Sequence, residues 1–416
     1  MIVLVPTVVR MTTTRDLARR FGPDIIELRR RLHRIPELNL DLPKTQAAVL
    51  DALSGLDLEV TTGTALKSVT AVLRGRAAAG GGASGVHRPA VLLRGDMDAL
   101  PVVEKVDLPY ASEHSGRMHA CGHDLHMAGL VGAARILHEL RDELAGDVVF
   151  MFQPGEEDVG GAPIMIEEGV LDAAGRRVDA AYALHVFSSG HPRGAWYSRS
   201  GPQMAACDKL VVTVVGAGGH GSAPHKALDP IPAACEMVLA LQTMVTRRFN
   251  AFDPVVLTVG VIAGGTKDNI IGDEAHFEAT VRTFSPAHRD LMDSASLELV
   301  RGIATAHGLT VRAEYQRGFP VTVNDDAEHA FAVQTVTDLF GADAHSTMPQ
   351  PECGSEDFSF VLNQVPGAYL NLSTCAGSNP DAAPDNHSGD AAFDDSVLPD
   401  AAALLAELAL RRIARG

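Results

Sequence analysis

Two short stretches hold side chains that could do chemistry together. HACGHDLHMA (119–128) sets Cys121 and His123 on either side of Gly122. A thiolate and an imidazole so spaced, just before a helix-like run, can grip one metal ion or one each of two neighbouring ions. A helix N-terminus nearby would favour the thiolate. Against this, the chain has 17 histidines, and a C-x-H triplet alone recurs by chance. QPGEE (153–157) follows an apolar run and places Glu156 beside Glu157. Adjacent side chains in extended chain point opposite ways, so one carboxylate can bind metal while the other faces an activated water as general base. An isolated Glu-Glu pair is otherwise a solvated acidic turn. His185, ending a strand-like run that starts at 180, and His387, in DNHSGD, are further candidate ligands. RGDMDALP (94–101) adds acids after another apolar run.

Strand-like runs at 68–74, 90–94, 148–152, 180–186 and 368–372 alternate with helical periodicity at 14–34, 44–56, 124–144 and 396–414. That order predicts an α/β fold, a mostly parallel sheet covered by helices on both faces. RGDMDALP, QPGEE and His185 then lie at strand ends, where open α/β sheets bind ligands. The AAAGGGASG run (77–85) reads as a hairpin tip joining the strands at 68–74 and 90–94. Near residue 205 the texture changes. Strand 209–215, helix 230–246, strands 255–262 and 275–283, helix 289–306 and strand 310–316 spell a split βαβ, ferredoxin-like unit. The expected organisation is a discontinuous catalytic domain, 1–204 and 318–416, with an inserted α+β domain, 205–317, as lid and dimerisation element.

Composition narrows the function classes. The 416 residues are 46% hydrophobic and carry a net charge of −17. A core is affordable, and an acidic surface argues against nucleic acid or an anionic membrane as partner. No apolar run is long enough to span a bilayer. The start, MIVLVPTVVRM, lacks the basic region and cleavage site of a signal peptide and reads as a loose extension, with Met11 an alternative start. Five cysteines form no C-x-x-C pair and cannot all be disulfide-bonded, which fits a reducing, cytoplasmic setting.

RGDMDALP, HACGHDLHMA, QPGEE, GGHGSAPH (218–225), SEDFS (355–359) and NHS (386–388) occur in an order and spacing that resemble the dinuclear metallo-amidohydrolases. These are the aminoacylase, hippurate hydrolase and auxin-conjugate hydrolase branch of a metallopeptidase superfamily. LHRIPEL (32–38) resembles that family's opening motif, and the resemblance runs from about residue 24 to the C-terminus. It implies that Cys121, His123, Glu157, His185 and His387 hold two divalent ions and that Glu156 is the general base. It implies that Asp98 orients a ligand from behind. His220 matches a histidine that steadies the oxyanion in the opposite subunit's site, so a homodimer through the inserted domain is expected. Asn269 and Arg282 match substrate-binding positions. Asp124, Glu356 and Asp357 lie inside the motifs without an assigned role; the purely structural reading is a helix-start cap for Asp124 and turn and hydrogen-bond roles for the other two. Lys267, Gly272 and Ala279 depart from the family's usual residues near the presumed substrate contacts, which leaves the substrate open.

The expected reaction is hydrolysis of the amide bond of an N-acyl amino acid. Glu156 would deprotonate the attacking water, His220 would hold the oxyanion, and Arg282 would pair with the substrate α-carboxylate. Zinc is the expected metal, and manganese, cobalt and nickel also suit the donors. Three alternatives stand beside it. One is a metallo-exopeptidase acting on dipeptides, and one a catalytically silent ligand-binding relative. The third is a cysteine hydrolase with Cys121 activated by His123 or His119, which leaves Glu157, His185 and His387 without a task.

Overall fold

A computed structural model describes residues 12–77, 88–158 and 160–415. The expectations for the first eleven residues and, apart from Ala77, for the glycine-rich tip lie outside the described residues. The chain divides into two compact units. One holds the described residues up to Gly201 with Asn324–Pro349 and those from Val361 onward; the other holds Pro202–Val323 and Gln350–Phe360.

The first unit is built on an eight-stranded sheet. Its centre is four parallel strands: β1 (Ala90–Asp96), β2 (Asp147–Gln153), β3 (Ala180–Phe187) and β4 (Gly367–Ser373), in spatial order β2-β1-β3-β4. Nearly every residue in them is buried, so they read as continuous apolar runs. The flanks differ from the expected mostly parallel sheet. Val69–Arg74 joins β2 antiparallel and carries Glu59–Thr62 outside it; Trp196–Ser198 joins β4 antiparallel and carries His345–Thr347. The expected hairpin between 68–74 and 90–94 is also corrected. Those two strands flank β2 on opposite sides. The run Val148–Phe152 is wholly apolar and needs a partner on both edges, so it takes the interior place.

Three helices pack on one another: α1 (Thr14–His33), α2 (His123–Glu139) and α3 (Leu398–Arg415), with α2 and α3 also lying on the sheet. Helix α1 opens with a capping box between Thr13 and Asp16. Helix α2 stops at Glu139 rather than 144, where a 3₁₀ turn, Arg141–Glu143, takes over. Ile25, Leu32, Leu130, Leu137, Phe150 and Leu404 belong to the common core.

The second unit has a four-stranded antiparallel sheet in the order Val255–Gly264, Glu274–Thr283, Ala206–Val215, Thr310–Arg317. Helices Pro230–Arg248 and Pro286–Ala306 supply the two crossovers, which makes it a split βαβ arrangement. Its own core includes Leu210, Val212, Met237, Leu241, Phe277 and Val300.

Helix Asp326–Phe340 and the three-residue strands Trp196–Ser198 and His345–Thr347 lie outside the sequence expectations. At that sheet edge the buried Ser198 Oγ sits 2.9 Å from His329 Nε2 and 2.8 Å from His345 Nε2. Burial, then the neighbouring His329, hold His345 down at about 4, and burial lowers His329 as well. A histidine depressed on folding binds fewer protons folded than unfolded, so its stability contribution is present above the ordinary 6.5 and is lost as pH falls toward 4. Urea unfolding should therefore show a loss on the order of 1–3 kcal/mol from this edge between neutral and acid pH. His345→Gln should flatten that part of the profile; an unchanged slope in the variant counts against it.

Candidate metal centre

Because β1 to β4 run parallel, their carboxyl ends open at one edge of the sheet, and the polar residues that follow them meet there. Asp98 lies two residues past β1. Glu156 and Glu157 follow β2, and His185 lies near the end of β3. Helix α2 brings Cys121 and His123 to the same place, and the loop after β4 brings His387.

The turn between Cys121 and His123 requires glycine. Gly122 sits at φ +79°, and a Cβ there would lie 2.3 Å from Val186 Cγ2. This turn aims thiol and imidazole into one cluster. Cys121 Sγ is 3.4 Å from His185 Nε2 and 3.3 Å from His387 Nε2. Glu157 lies 3.8 Å from His123 Nε2 and 3.4 Å from His387 Nε2. Donor atoms of Cys121, His123 and His185, of Cys121, Glu157 and His387, and of His123, Glu156 and Glu157 form three groups, each within 4.8 Å. Five of these side chains are largely buried, whereas His387 is more than half exposed. His387 also adopts φ +69°, a costly backbone for a non-glycine residue.

Each buried imidazole is held by its other nitrogen. His123 Nδ1 donates to the Asp98 carbonyl at 2.9 Å, and His185 Nδ1 donates to the Val186 carbonyl at 2.8 Å. Both therefore turn an Nε2 lone pair into the cluster. Asp98 does a second task. Its two carboxylate oxygens accept the backbone N–H groups of Glu156 and Glu157, at 3.0 and 3.1 Å. It holds the Glu-Glu turn in place as well as the imidazole.

The charges of the cluster oppose one another. Burial, then Glu157, push the Cys121 thiol well above its usual range. Burial pushes Glu157 up to about 7, against the pull of His123. Burial and His126 hold His185 well below the ordinary histidine range. A dication among these donors would reverse the first two effects. The donor set fits one: His123 Nε2 and Glu157 Oε1 are buried without a hydrogen bond, and thiolate, imidazole and carboxylate together suit a transition metal. The same facts weigh against a Cys121 nucleophile. Its thiol is not activated, and both nitrogens of His119 are buried without a partner.

Asp124 departs from its expected capping role. It makes no cap hydrogen bond, and the helix N-cap is Gly122. Instead its carboxylate lies 2.8 Å from Arg29 Nε and 2.8 Å from His33 Nδ1. Burial would raise that carboxyl, yet Arg29 and His33 keep it well below the usual range. His33 Nε2 reaches Glu104 at 3.0 Å. This explains the LHRIPEL motif: its histidine braces the turn that carries Cys121 and His123. Sequence reasoning passed over Asp96, His126 and Asn386, all within the quoted motifs. His126 lies three residues after His123 on the same helix, a spacing that puts both on one face.

His220, Asn269 and Arg282 belong to the second unit. His220 is exposed on a two-residue strand paired with Ile270–Ile271, and Ser222 donates to its Nδ1 from Oγ at 2.9 Å. The Gly221 N–H bonds the Asn269 carbonyl at 2.9 Å, so His220 and Asn269 are neighbours. Arg282 stands on Glu274–Thr283 between Cys207 and Val256. Glu356 and Asp357 are buried in a turn where their groups accept from Phe358, Ser359 and Phe360 N–H.

Known proteins resemble this chain over most of its length. N-acetyl-L-cysteine deacetylase of Bacillus subtilis is 37% identical over 356 residues, 84% of this chain and 80% of that one. Thermostable carboxypeptidase 2 of Saccharolobus solfataricus is 35% identical over 93% of this chain and 95% of its own. A dinuclear metal binding peptidase of Bacillus subtilis, known by crystal structure, superposes with a TM-score of 0.81 at 29% identity, covering 95% of this chain and 99% of that one. Residues 92–411 match the sequence profile of Peptidase family M20/M25/M40, and by that match and these relatives the chain belongs to this family.

Proposed function

We propose that this protein is a metal-dependent amidohydrolase that cleaves the amide bond of N-acyl amino acids. The observation that carries the reading is the convergence of Cys121, His123, Glu157, His185 and His387 around one cluster, with Glu156 beside it. Those five would hold two divalent ions, with zinc favoured by the mixed donors. When bound, the ions supply Lewis acidity that lowers the pKa of water and polarises a carbonyl. Glu156, held by Asp98 through its backbone, takes the proton of the attacking water and returns it to the leaving amine. His220 steadies the oxyanion, Asn269 and Arg282 bind the substrate, and Arg282 pairs with its α-carboxylate. Relatives named for deacetylation of an N-acetylated amino acid and for carboxypeptidase action both fit this chemistry.

The unit over 205–317 would serve as lid and as the contact between two copies. Its two edge strands differ in kind. Thr310–Arg317 carries Arg312, Glu314 and Arg317, a charged edge of the sort that resists pairing. Val255–Gly264 carries no charge and exposes Val256, Val261 and Ile262. Pairing of that edge with its copy would build a two-fold dimer and allow His220 to act in trans.

Glu156→Gln should keep its metal content and lose turnover by about 10²–10⁴-fold; near-wild-type activity would remove Glu156 as the base. Chelation should abolish hydrolysis and a divalent ion restore it. Across N-acetyl, N-benzoyl, indole-acyl and dipeptide substrates, metal-dependent amine release should favour the acyl amino acids; a preference for dipeptides would make it an exopeptidase, and none at all a silent binder. Because the Cys121 thiol is pushed well above its usual range and Glu157 up to about 7, metal must displace protons from both, so its affinity should fall as pH drops through the neutral range, and more steeply below about 7. Competition titration against a chelator at several pH values reads this directly. For the dimer, Ile262→Lys should convert the sedimenting species from two copies to one; an active wild-type monomer would remove the trans role of His220.

A further inference from the structure

The Val186 carbonyl that holds His185 is flanked by further hydrogen bonds, from the Val186 N–H on one side and from Asn386 on the other, to which no role has been given above. The Val186 N–H donates to His126 Nε2 at 2.9 Å. That fixes the tautomer of His126: Nε2 accepts, so Nδ1 carries the proton and donates to Asp96 Oδ1 at 2.5 Å. Asp96 is fully buried and its other oxygen lies 2.5 Å from Arg94. On the far side, the Val186 carbonyl accepts His185 Nδ1 at 2.8 Å and Asn386 Nδ2 at 2.9 Å. Asn386 Oδ1 in turn accepts the Ser188 N–H at 2.9 Å. The His126 ring stacks on His123 with centroids 5.3 Å apart and meets His185 edge-on at 4.8 Å.

We infer that Asp96 and His126 are positioning residues that act on His185 through the backbone at Val186, and that Asn386 closes the same clamp from the His387 loop. This rests on the metal-centre reading above. A carboxylate bonded directly to a metal-binding imidazole orients the ring and raises its basicity. Here the carboxylate is displaced by one imidazole and one stretch of backbone. The Val186 N–H and carbonyl belong to successive peptide planes joined at one Cα, so anchoring the N–H on His126 and Asp96 fixes where the carbonyl that holds His185 Nδ1 stands. His126 itself has no lone pair left to bind metal.

The test is cobalt(II) titration of the metal-stripped protein, following the thiolate-to-cobalt charge-transfer and d–d absorption bands, with thermal unfolding of the metal-free forms alongside. His126→Phe keeps the ring stack but removes both hydrogen bonds; Asn386→Ala removes the second donor to Val186 together with its longer contacts to Cys121 at 3.4 and 3.8 Å. Both variants should bind one of two cobalt ions about 10–100-fold more weakly, with altered d–d bands, while the second ion keeps its wild-type affinity. Two wild-type affinities and an unchanged spectrum in a folded variant overturn the inference. So does equal weakening of both ions in step with lost thermal stability, which marks a merely structural role. If His126→Phe does not fold, Asn386→Ala decides by the same criteria. A wild-type protein that binds no cobalt through its thiolate overturns the metal-centre reading, and this inference with it.

Discussion

Burying a thiol, two carboxylates and two imidazoles within a few Å of one another is the constraint on which the rest of the first unit depends. Polar groups taken from water without partners cost on the order of 1–3 kcal/mol each, and like charges add to that. The fold limits the cost by giving groups turned away from the cluster partners of their own. The Nδ1 atoms of His123 and His185 are bonded to backbone carbonyls, and the backbone of both glutamates is bonded to Asp98. Two side-chain atoms of the cluster stay unsatisfied, His123 Nε2 and Glu157 Oε1, and they lie 3.8 Å apart. Such focused dissatisfaction is what a dication relieves.

Holding those groups demands buried charge elsewhere. Arg29 and Asp124 are both fully buried behind the Cys121–His123 turn, and Arg29 lies over the Tyr110 ring at 4.9 Å. A buried ion pair contributes little net stability but is costly to break, because either partner alone is stranded. Its use here is geometric. Helix α1, which supplies Arg29 and His33, is thereby fixed to the start of α2, which supplies His123. The acidic balance of −17 thus conceals a subset of carboxylates that never meet solvent.

The cluster was legible in the sequence because its ligands sit in short motifs with strong local constraints: C-x-H on a glycine turn, Glu-Glu after an apolar strand, histidine at a strand end. Their convergence followed from the parallel order of the strands. The errors share a physical origin. Nearness along the chain favours a hairpin between 68–74 and 90–94, but Val148–Phe152 needs two covered edges and takes the place between them. Its place near a helix start suits Asp124 to a cap, but its partners come from α1, about ninety residues earlier in the chain. Periodicity carries no record of such long-range pairs. Strands of three residues, as at Trp196–Ser198, are too short for any period to register.

The D-x-D motif shows how one strand end can govern the whole cluster. Asp98 holds His123 and the glutamate turn; Asp96 reaches the other side by bonding His126, which accepts the N–H of Val186, the residue whose carbonyl holds His185. The two aspartates are separated by one residue, so any shift of this strand end moves both halves together. Gly95 makes such a shift difficult, since a Cβ there would already stand 3.0 Å from the His126 carbonyl oxygen. Strand β1 and helix α2 are therefore in near backbone contact at the point where the donors diverge. The spacing between the two sides of the cluster is set by that contact rather than by the donors, which is what a site needs if it is to keep its shape whether or not its charges are balanced.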